Sequence, residues 1–325
     1  MNVLVTGATG FLGMALTMRL TRDSRYPPRA AVRSDSQDYA PGFTSVKIGD
    51  MTADTDWTPA LQSIDVVIHT AARVHVMKDN CDDPLHQYRR VNVDGTVNLA
   101  RQAAAAAVKR FIFISTIKVN GESTTPGKFF TGDDQPDPVD PYGISKREAE
   151  VGLRQLAEQS GMEFVIIRPP LIYGPGVKGN FQSMMSWINR GVPLPLGAVH
   201  NKRSFVALDN LVDMIITCIE HPGAANQTFL AGDGEDLSTT ELLQRMGNAL
   251  GKPARLIPFP EGLLTLVAFF LGKKHVIQRL CGSLQVDISK TRELLGWNPP
   301  VSVEDGLRKT AEDFINGLSA LPKDV

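Results

Sequence analysis

Short apolar runs, mostly of β-branched residues, alternate along the first half of the chain with segments whose apolar positions fall at helical spacing. The runs lie at 2–6, 29–32, 46–50, 65–72, 110–116 and 164–170. None shows the one-in, one-out alternation of a half-exposed strand, so they predict strands of a parallel sheet covered on both faces. Between them, helices are predicted over 11–20, 92–108 and 141–160. The last has Asp140 as N-cap, Pro141 at the first helical position and Gly161 as its stop. Residues 124–141 are rich in Pro, Gly and Asp and read as loop.

Beyond Tyr173 the rhythm loosens. Residues 192–196 read as extended, 203–208 as a short strand, 210–220 as helix and 227–231 as a late strand. Ser238 with Glu241 forms a capping box for a helix that stops at Gly251, and 287–295 and 304–315 read as helical. There is no internal repeat and no low-complexity linker, so the second region is expected to pack on the first.

The first strand runs straight into Gly7, Gly10 and Gly13, and a helix follows. Without side chains at Gly7 and Gly10 the backbone can approach a pyrophosphate, and the helix N-terminus adds a favourable dipole. Gly13 lets helix and strand pack closely. The spacing G-x-x-G-x-x-G departs from the commoner G-x-G-x-x-G. At the end of the second strand, where an acid favours NAD and an arginine accommodates a 2′-phosphate, stands Arg33, with no acid before Asp35. His69 closes the 65–72 run and is expected to be a packed, hydrogen-bonded histidine. Ser115 and Thr116 place two hydroxyls at a strand's carboxyl end, where ligands of open α/β sheets sit. Tyr142 and Lys146 are four apart and share one helix face. A lysine ammonium there favours the phenolate, and Thr116 can hydrogen-bond the oxygen that exchanges a proton with Tyr142. Together with the glycine turn, these residues point to hydride transfer at a carbinol carbon.

Composition removes other classes. The formal net charge is −1, with no basic run or aromatic–basic interleaving, so no nucleic-acid partner is expected. Cys81, Cys218 and Cys281 have no metal-ligand or redox spacing, which predicts no metal and fits a reducing, cytoplasmic setting. A strand starting at Asn2 leaves no room for a signal peptide. The apolar run 263–271 is too short to span a bilayer and is expected to be a buried or subunit-facing helix.

The motifs Thr6-Gly-Ala-Thr-Gly-Phe-Leu-Gly13, Asp50-Met51, His69-Thr-Ala-Ala72, Asn92, Ser115-Thr116, Tyr142/Lys146 and Arg168-Pro-Pro-Leu-Ile-Tyr-Gly-Pro175 cover nearly the whole chain. In them the sequence resembles the extended short-chain dehydrogenase/reductases of the NAD-dependent epimerase/dehydratase family, which act on nucleotide sugars. The resemblance implies a Rossmann-type α/β fold, a doubly wound parallel sheet with a smaller, discontinuous α/β substrate domain. Residues 1–169 plus about 206–233 would bind the dinucleotide, and about 170–205 plus 234–325 the nucleotide sugar. It implies that Gly7, Thr9, Gly10, Phe11, Leu12 and Gly13 form the dinucleotide turn and that Asp50 and Met51 hold the adenine. Ala71, Ala72 and Ser115 would line the dinucleotide path, Lys146 would also hold the nicotinamide ribose, and Pro169 to Leu171 would face the nicotinamide. Thr116, Tyr142 and Lys146 would be catalytic. Thr116, Lys118, Asn180, Pro195, Leu196, Arg203 and Arg279 would meet a UDP-sugar, the two arginines at its diphosphate. A homodimer through a four-helix bundle, helices 94–108 and 142–160, is also implied.

Three chemistries share that scaffold. Dehydratases follow the Thr with an Asp-Glu pair, where this chain has Ile117-Lys118, so dehydration is not expected. Epimerases hold NAD tightly, tend to carry an acid where Arg33 stands, and have Tyr in place of Asn120. The stretch from Ile114 to Glu122 looks more like bacterial 4-ketoreductases that make UDP-N-acetyl-quinovosamine-type sugars for surface polysaccharide (O-antigen). The expectation is therefore NADP(H), in preference to NAD(H), reducing the C4 keto group of a UDP-4-keto-6-deoxyhexosamine. The alternatives are a 4-epimerase with tightly bound NAD and, more remotely, a non-catalytic dinucleotide sensor.

Overall fold

Strand β1 (Val3–Thr6) lies inside a seven-stranded sheet, paired with β2 (Pro28–Val32) on one side and β4 (Val66–His69) on the other. With β3 (Thr44–Lys47), β5 (Arg110–Ile114), β6 (Glu163–Arg168) and β9 (Gln227–Leu230) the order is β3-β2-β1-β4-β5-β6-β9, every neighbouring pair parallel. The structure, a computed structural model, describes residues 1–34, 44–74, 83–125, 127–260, 262–264, 278 and 280–320. Strand order reverses between β1 and β4, so the crevice for a ligand opens above the ends of those two strands. The Rossmann-type doubly wound sheet expected from the sequence is present.

Both sheet faces are covered, which is why the strands read as continuous apolar runs. Val3 and Val5 face helix α1 (Phe11–Thr21) and a later helix, Leu208–Glu220, through Leu12, Leu16, Leu211 and Ile215. Leu4, on the opposite pleat, belongs to the core that includes Trp57 of the short helix-capping segment before α2 (Thr58–Leu61). That face is closed by Leu99 and Ala103 of α4 (Thr96–Ala105) and by Ala149 and Leu153 of α5 (Pro141–Ser160). The helix expected to open at Asn92 starts earlier. Asp83 caps α3 (Pro84–Tyr88), and a π-helical stretch, Arg89–Gly95, joins α3 to α4. Helix α5 keeps its predicted ends: Asp140 accepts from the Gly143 amide at 2.6 Å, and Gly161 turns left-handed at φ +73°.

A smaller sheet, β10-β8-β7, combines β7 (Leu171–Tyr173), β8 (Arg203–Ala207) and β10 (Asp236–Leu237). β7 escapes the sequence reading because Pro169 and Pro170 separate it from β6 by only two residues. Around this sheet a second core gathers α6 (Asn180–Asn189), α8 (Thr239–Ala249) and α10 (Val303–Ala320), whereas α7 (Leu208–Glu220) and α9 (Ser289–Leu295) put their buried apolar residues into the first core. The capping box of Ser238 and Glu241 is formed as expected. Most of the apolar run 263–271 lies outside the described residues.

Candidate active site

The glycine turn sits at the strand-order reversal. Gly7 adopts φ +68° and its carbonyl accepts the Gly10 amide at 2.9 Å. A methyl group on Gly13 would lie 2.1 Å from the Gly7 carbonyl oxygen, and one on Gly7 would lie 2.7 Å from the Ala71 amide nitrogen. Only glycine fits either place. Gly10 caps α1, yet no side chain hydrogen-bonds there and the first turn carries no acid. The positive end of α1 therefore keeps its amides for an anion, which is what a dinucleotide pyrophosphate requires. Phe11 and Leu12 are the first residues of α1, and Thr9 is exposed in the turn before it.

The walls of this crevice are fixed by buried polar contacts. His69 is fully buried, its Nδ1 2.6 Å from Thr6 Oγ1 and its Nε2 2.9 Å from Thr96 Oγ1. Burial, with Lys146 nearby, pushes its pKa down to about 3, so it stays neutral. It is a packing residue, as expected. Ala71 and Ala72 follow β4 half-buried, and Asn92 holds the backbone just beyond by bonding both the amide and the carbonyl of Arg73. Met51 is buried against Gly95, while Asp50 is exposed. Arg33 is exposed just past the end of β2.

Tyr142 and Lys146 stand one turn apart near the start of α5. Lys146 is 1% exposed and its ammonium lies 3.9 Å from the centroid of the Phe113 ring. Burial lowers its pKa to about 7, opposed by the Glu150 carboxylate. Tyr142 meets the Tyr88 ring edge-on, with centroids 6.0 Å apart. Its pKa is raised, by burial first and then by Asp140 and Tyr88. Burial, Asp140 and Tyr88 thus act on Tyr142 in the direction opposite to the lowering by Lys146 expected from their spacing.

Thr116, buried just past the end of β5, caps the 3₁₀ turn Ile117–Val119. Lys118 in that turn is claimed by Asp140 and, at 3.1 Å, by Glu122. The Ser115 hydroxyl donates to Glu150 Oε1 at 2.6 Å. Glu150 is in turn held by Arg168, whose Nε and Nη2 reach its two oxygens at 2.9 and 2.6 Å. Arg168 also donates to Asn120 Oδ1 at 3.0 Å. Sequence reasoning missed this cluster. Its one visible signal is that Glu150 stands four residues after Lys146 on the same helix.

The residues expected around a nucleotide sugar are more spread out. Pro169 is buried and its carbonyl accepts the Ile117 amide, whereas Leu171 is 46% exposed. Asn180 is exposed at the start of α6, and Phe181 stacks on Tyr173 with centroids 5.5 Å apart. Pro195 is exposed, and Leu196 is buried with its carbonyl taking the Thr240 hydroxyl. Arg203 opens β8 and donates to the Gly282 carbonyl at 2.8 Å. Arg279 lies outside the described residues. A cavity of about 310 Å³ lined by Phe129, Ser204, Asp236, Asp287 and Arg292 contains none of these positions. Ser204 follows Arg203 directly, so the two side chains leave opposite faces of β8.

Comparison with known proteins narrows the chemistry. A family model described as the NAD dependent epimerase/dehydratase family matches residues 3–232. A UDP-glucose 4-epimerase of Vibrio cholerae is 49% identical over 97% of this chain and 95% of its own length. An Escherichia coli O157:H7 protein, N-acetyl-alpha-D-glucosaminyl-diphospho-ditrans,octacis-undecaprenol 4-epimerase, is 29% identical over 97% and 96%. Among solved structures, the UDP-glucuronic acid 4-epimerase of Bacillus cereus in complex with NAD superimposes with TM-score 0.79 at 24% identity, covering 97% of this chain and 99% of that one.

One expectation is overturned and another is left without support. The expected reduction of a C4 keto group is contradicted by the 49% identity to the Vibrio cholerae UDP-glucose 4-epimerase, which favours the alternative reading, a 4-epimerase. One of the clues to a reductase, beside Arg33 and the stretch from Ile114 to Glu122, was Asn120. Its amide oxygen receives Arg168 and its amide nitrogen donates to the Thr131 carbonyl, so packing accounts for this residue. The preference for NADP(H) over NAD(H) gains no support. The matching family is described by its dependence on NAD, and an exposed arginine past β2 does not by itself make a 2′-phosphate site.

Proposed function

The chain belongs to the NAD dependent epimerase/dehydratase family, and from that premise we propose that it is a UDP-hexose 4-epimerase using NAD. The observation that carries this reading is the 49% identity, across 97% of the chain, to the Vibrio cholerae UDP-glucose 4-epimerase. The cradle suits the cofactor: the uncapped N-terminus of α1 and the side-chain-free Gly7 and Gly10 fit a pyrophosphate. Phe11, Leu12, Met51, Ala71, Ala72 and Pro169 would line the rest of its path, and residues 170–205 with 234–325 would carry the nucleotide-sugar side.

When bound, NAD would take a hydride from C4 of the sugar and give it back to the other face. Tyr142 would remove the proton of the C4 hydroxyl at its phenolic oxygen and return it when the hydroxyl re-forms. Burial raises the pKa of Tyr142, so the phenol would stay protonated in the empty site, and a positive charge bound beside it would favour the phenolate. Thr116 would hold the same oxygen with its hydroxyl. Lys146 would hold the nicotinamide ribose, the face of Phe113 keeping its ammonium in place. Arg203 would meet the UDP diphosphate with a planar donor fork. The Lys118–Asp140 pair ties the turn after Thr116 to the cap of α5, joining the two halves of the proton-transfer site.

A homodimer through α4 and α5 belongs to the same reading. Val151 is 43% exposed on α5, and Gly152 lets α4 approach so closely that a methyl group there would lie 2.6 Å from Val97 Cγ2. No described helix is long and apolar enough to cross a membrane. The test of the function is to incubate purified protein with UDP-glucose and no added nicotinamide, following UDP-galactose. Epimer formation is the expected result. No epimer, together with oxidation of added reduced nicotinamide on a 4-keto sugar, would refute the reading.

A further inference from the structure

Glu150 is the most heavily committed charge among the described residues of the site. It is fully buried and receives Ser115 Oγ at 2.6 Å, Arg168 Nε and Nη2 at 2.9 and 2.6 Å, and Arg154 Nη2 at 3.2 Å. These donors come from three directions. Ser115 directly follows β5, Arg168 is the last residue of β6, and Arg154 lies one turn further along α5 and also reaches Thr228 Oγ1 at 3.0 Å. Arg168 is 1% exposed and passes the connection on to Asn120, which donates to the Thr131 carbonyl at 2.8 Å. One carboxylate therefore pins helix α5 to the carboxyl ends of two adjacent strands.

A buried ion pair is a poor source of stability, because desolvating two charges costs about what their attraction returns. An apolar pair of similar volume would hold α5 on the sheet as well. What it would not supply is direction. The two-pronged Arg168–Glu150 contact fixes the carboxylate in plane, and the remaining lone pair of Oε1 fixes Ser115. Ser115 immediately precedes Thr116, and Glu150 lies one turn beyond Lys146 and two beyond Tyr142. We propose that Glu150 is a positioning residue for the reaction: held by Arg168, it uses the Ser115 hydroxyl to set the Thr116 end of β5 in register with Tyr142 and Lys146 on α5. This rests on the reading of Thr116 and Tyr142 as the proton-transfer pair. An oriented pair displaced by a fraction of an ångström to an ångström loses on the order of tenfold to a hundredfold in rate.

The test separates position from stability. Ser115→Ala leaves the Arg168–Glu150 pair intact and removes only the link. Glu150→Met combined with Arg168→Leu removes both charges and leaves no orphan in the interior. Each is measured for melting temperature, retained NAD, UDP affinity, kcat and KM in the epimerase assay. Both variants are expected to keep NAD and UDP binding and to melt near the wild type, while kcat falls about tenfold to a hundredfold with KM little changed. Ser115→Ala added to the double variant should cost nothing more, since the link it cuts is already gone. Wild-type kcat in Ser115→Ala would overturn the proposal even if the double variant failed to fold. So would losses that simply add, or a fall in NAD retention that accounts for the lost rate. A wild-type protein that forms no epimer, with Tyr142→Phe no different, would instead indict the functional reading.

Discussion

The Lys146 ammonium lies 3.9 Å from the centroid of the Phe113 ring, inside the layer between α5 and the sheet. The aromatic face replaces part of the water the cation has lost. Burial nevertheless takes the pKa of Lys146 down to about 7, with Glu150 acting in the opposite direction. In the unfolded chain a lysine keeps its proton to about pH 10.4. Between those values the unfolded state binds more protons than the folded one, so stability rises with pH across the window and is lost as pH falls through the folded value. Lys146→Met should remove this dependence. In urea unfolding from about pH 6 to about pH 10, the stability of wild type relative to the variant should climb with pH. A difference that stays flat contradicts the account.

Tyr142→Phe keeps the ring against Tyr88 and removes only the hydroxyl. General acid–base catalysis is worth about 10²- to 10⁴-fold, so kcat should fall in that range while the protein still retains NAD. A variant with near-normal turnover would take Tyr142 out of the chemistry.

The glycine turn makes two different predictions. On Gly13 an alanine methyl would sit 2.1 Å from a backbone oxygen, so Gly13→Ala should lower stability by on the order of 3 kcal/mol, read as a fall in melting temperature. At Gly10 the corresponding contact is 3.2 Å, so Gly10→Ala should fold but bind NAD less tightly. Equal effects of the two on stability and on NAD affinity would show that neither glycine is there for the cofactor.

Arg203→Ala should weaken inhibition by free UDP and raise KM for the UDP-sugar together. Charge-assisted hydrogen bonds contribute roughly 1.5–3 kcal/mol, or on the order of tenfold to a hundredfold. Unchanged UDP binding would take Arg203 out of the diphosphate site.

What was legible in the sequence was local. The strand–glycine–helix opening, the Asp140 cap and the Tyr142/Lys146 spacing each lie within a few residues, and local stereochemistry fixes them. The π-helical stretch Arg89–Gly95 was hidden because its composition does not differ from ordinary helix. The Glu150–Arg168 contact was hidden for another reason: the two are 18 positions apart, with a helix end and a strand between, and only the sheet brings them together. Asn120 shows the converse error. Taken as a mark of the reaction, it turns out to serve Arg168 and the Thr131 carbonyl. Residue type at a single position could not distinguish a reductase from an epimerase, because the proton-transfer residues expected from the sequence are common to both.

In the proposed 4-epimerase the hydride removed from C4 would return to C4 of the same sugar. UDP-glucose deuterated at C4, incubated with the purified protein in ordinary water without added nicotinamide, tests it most directly. The expected product is UDP-galactose that retains its deuterium at C4. Loss of the label from C4, or formation of product only when reduced nicotinamide is supplied and consumed, would contradict it.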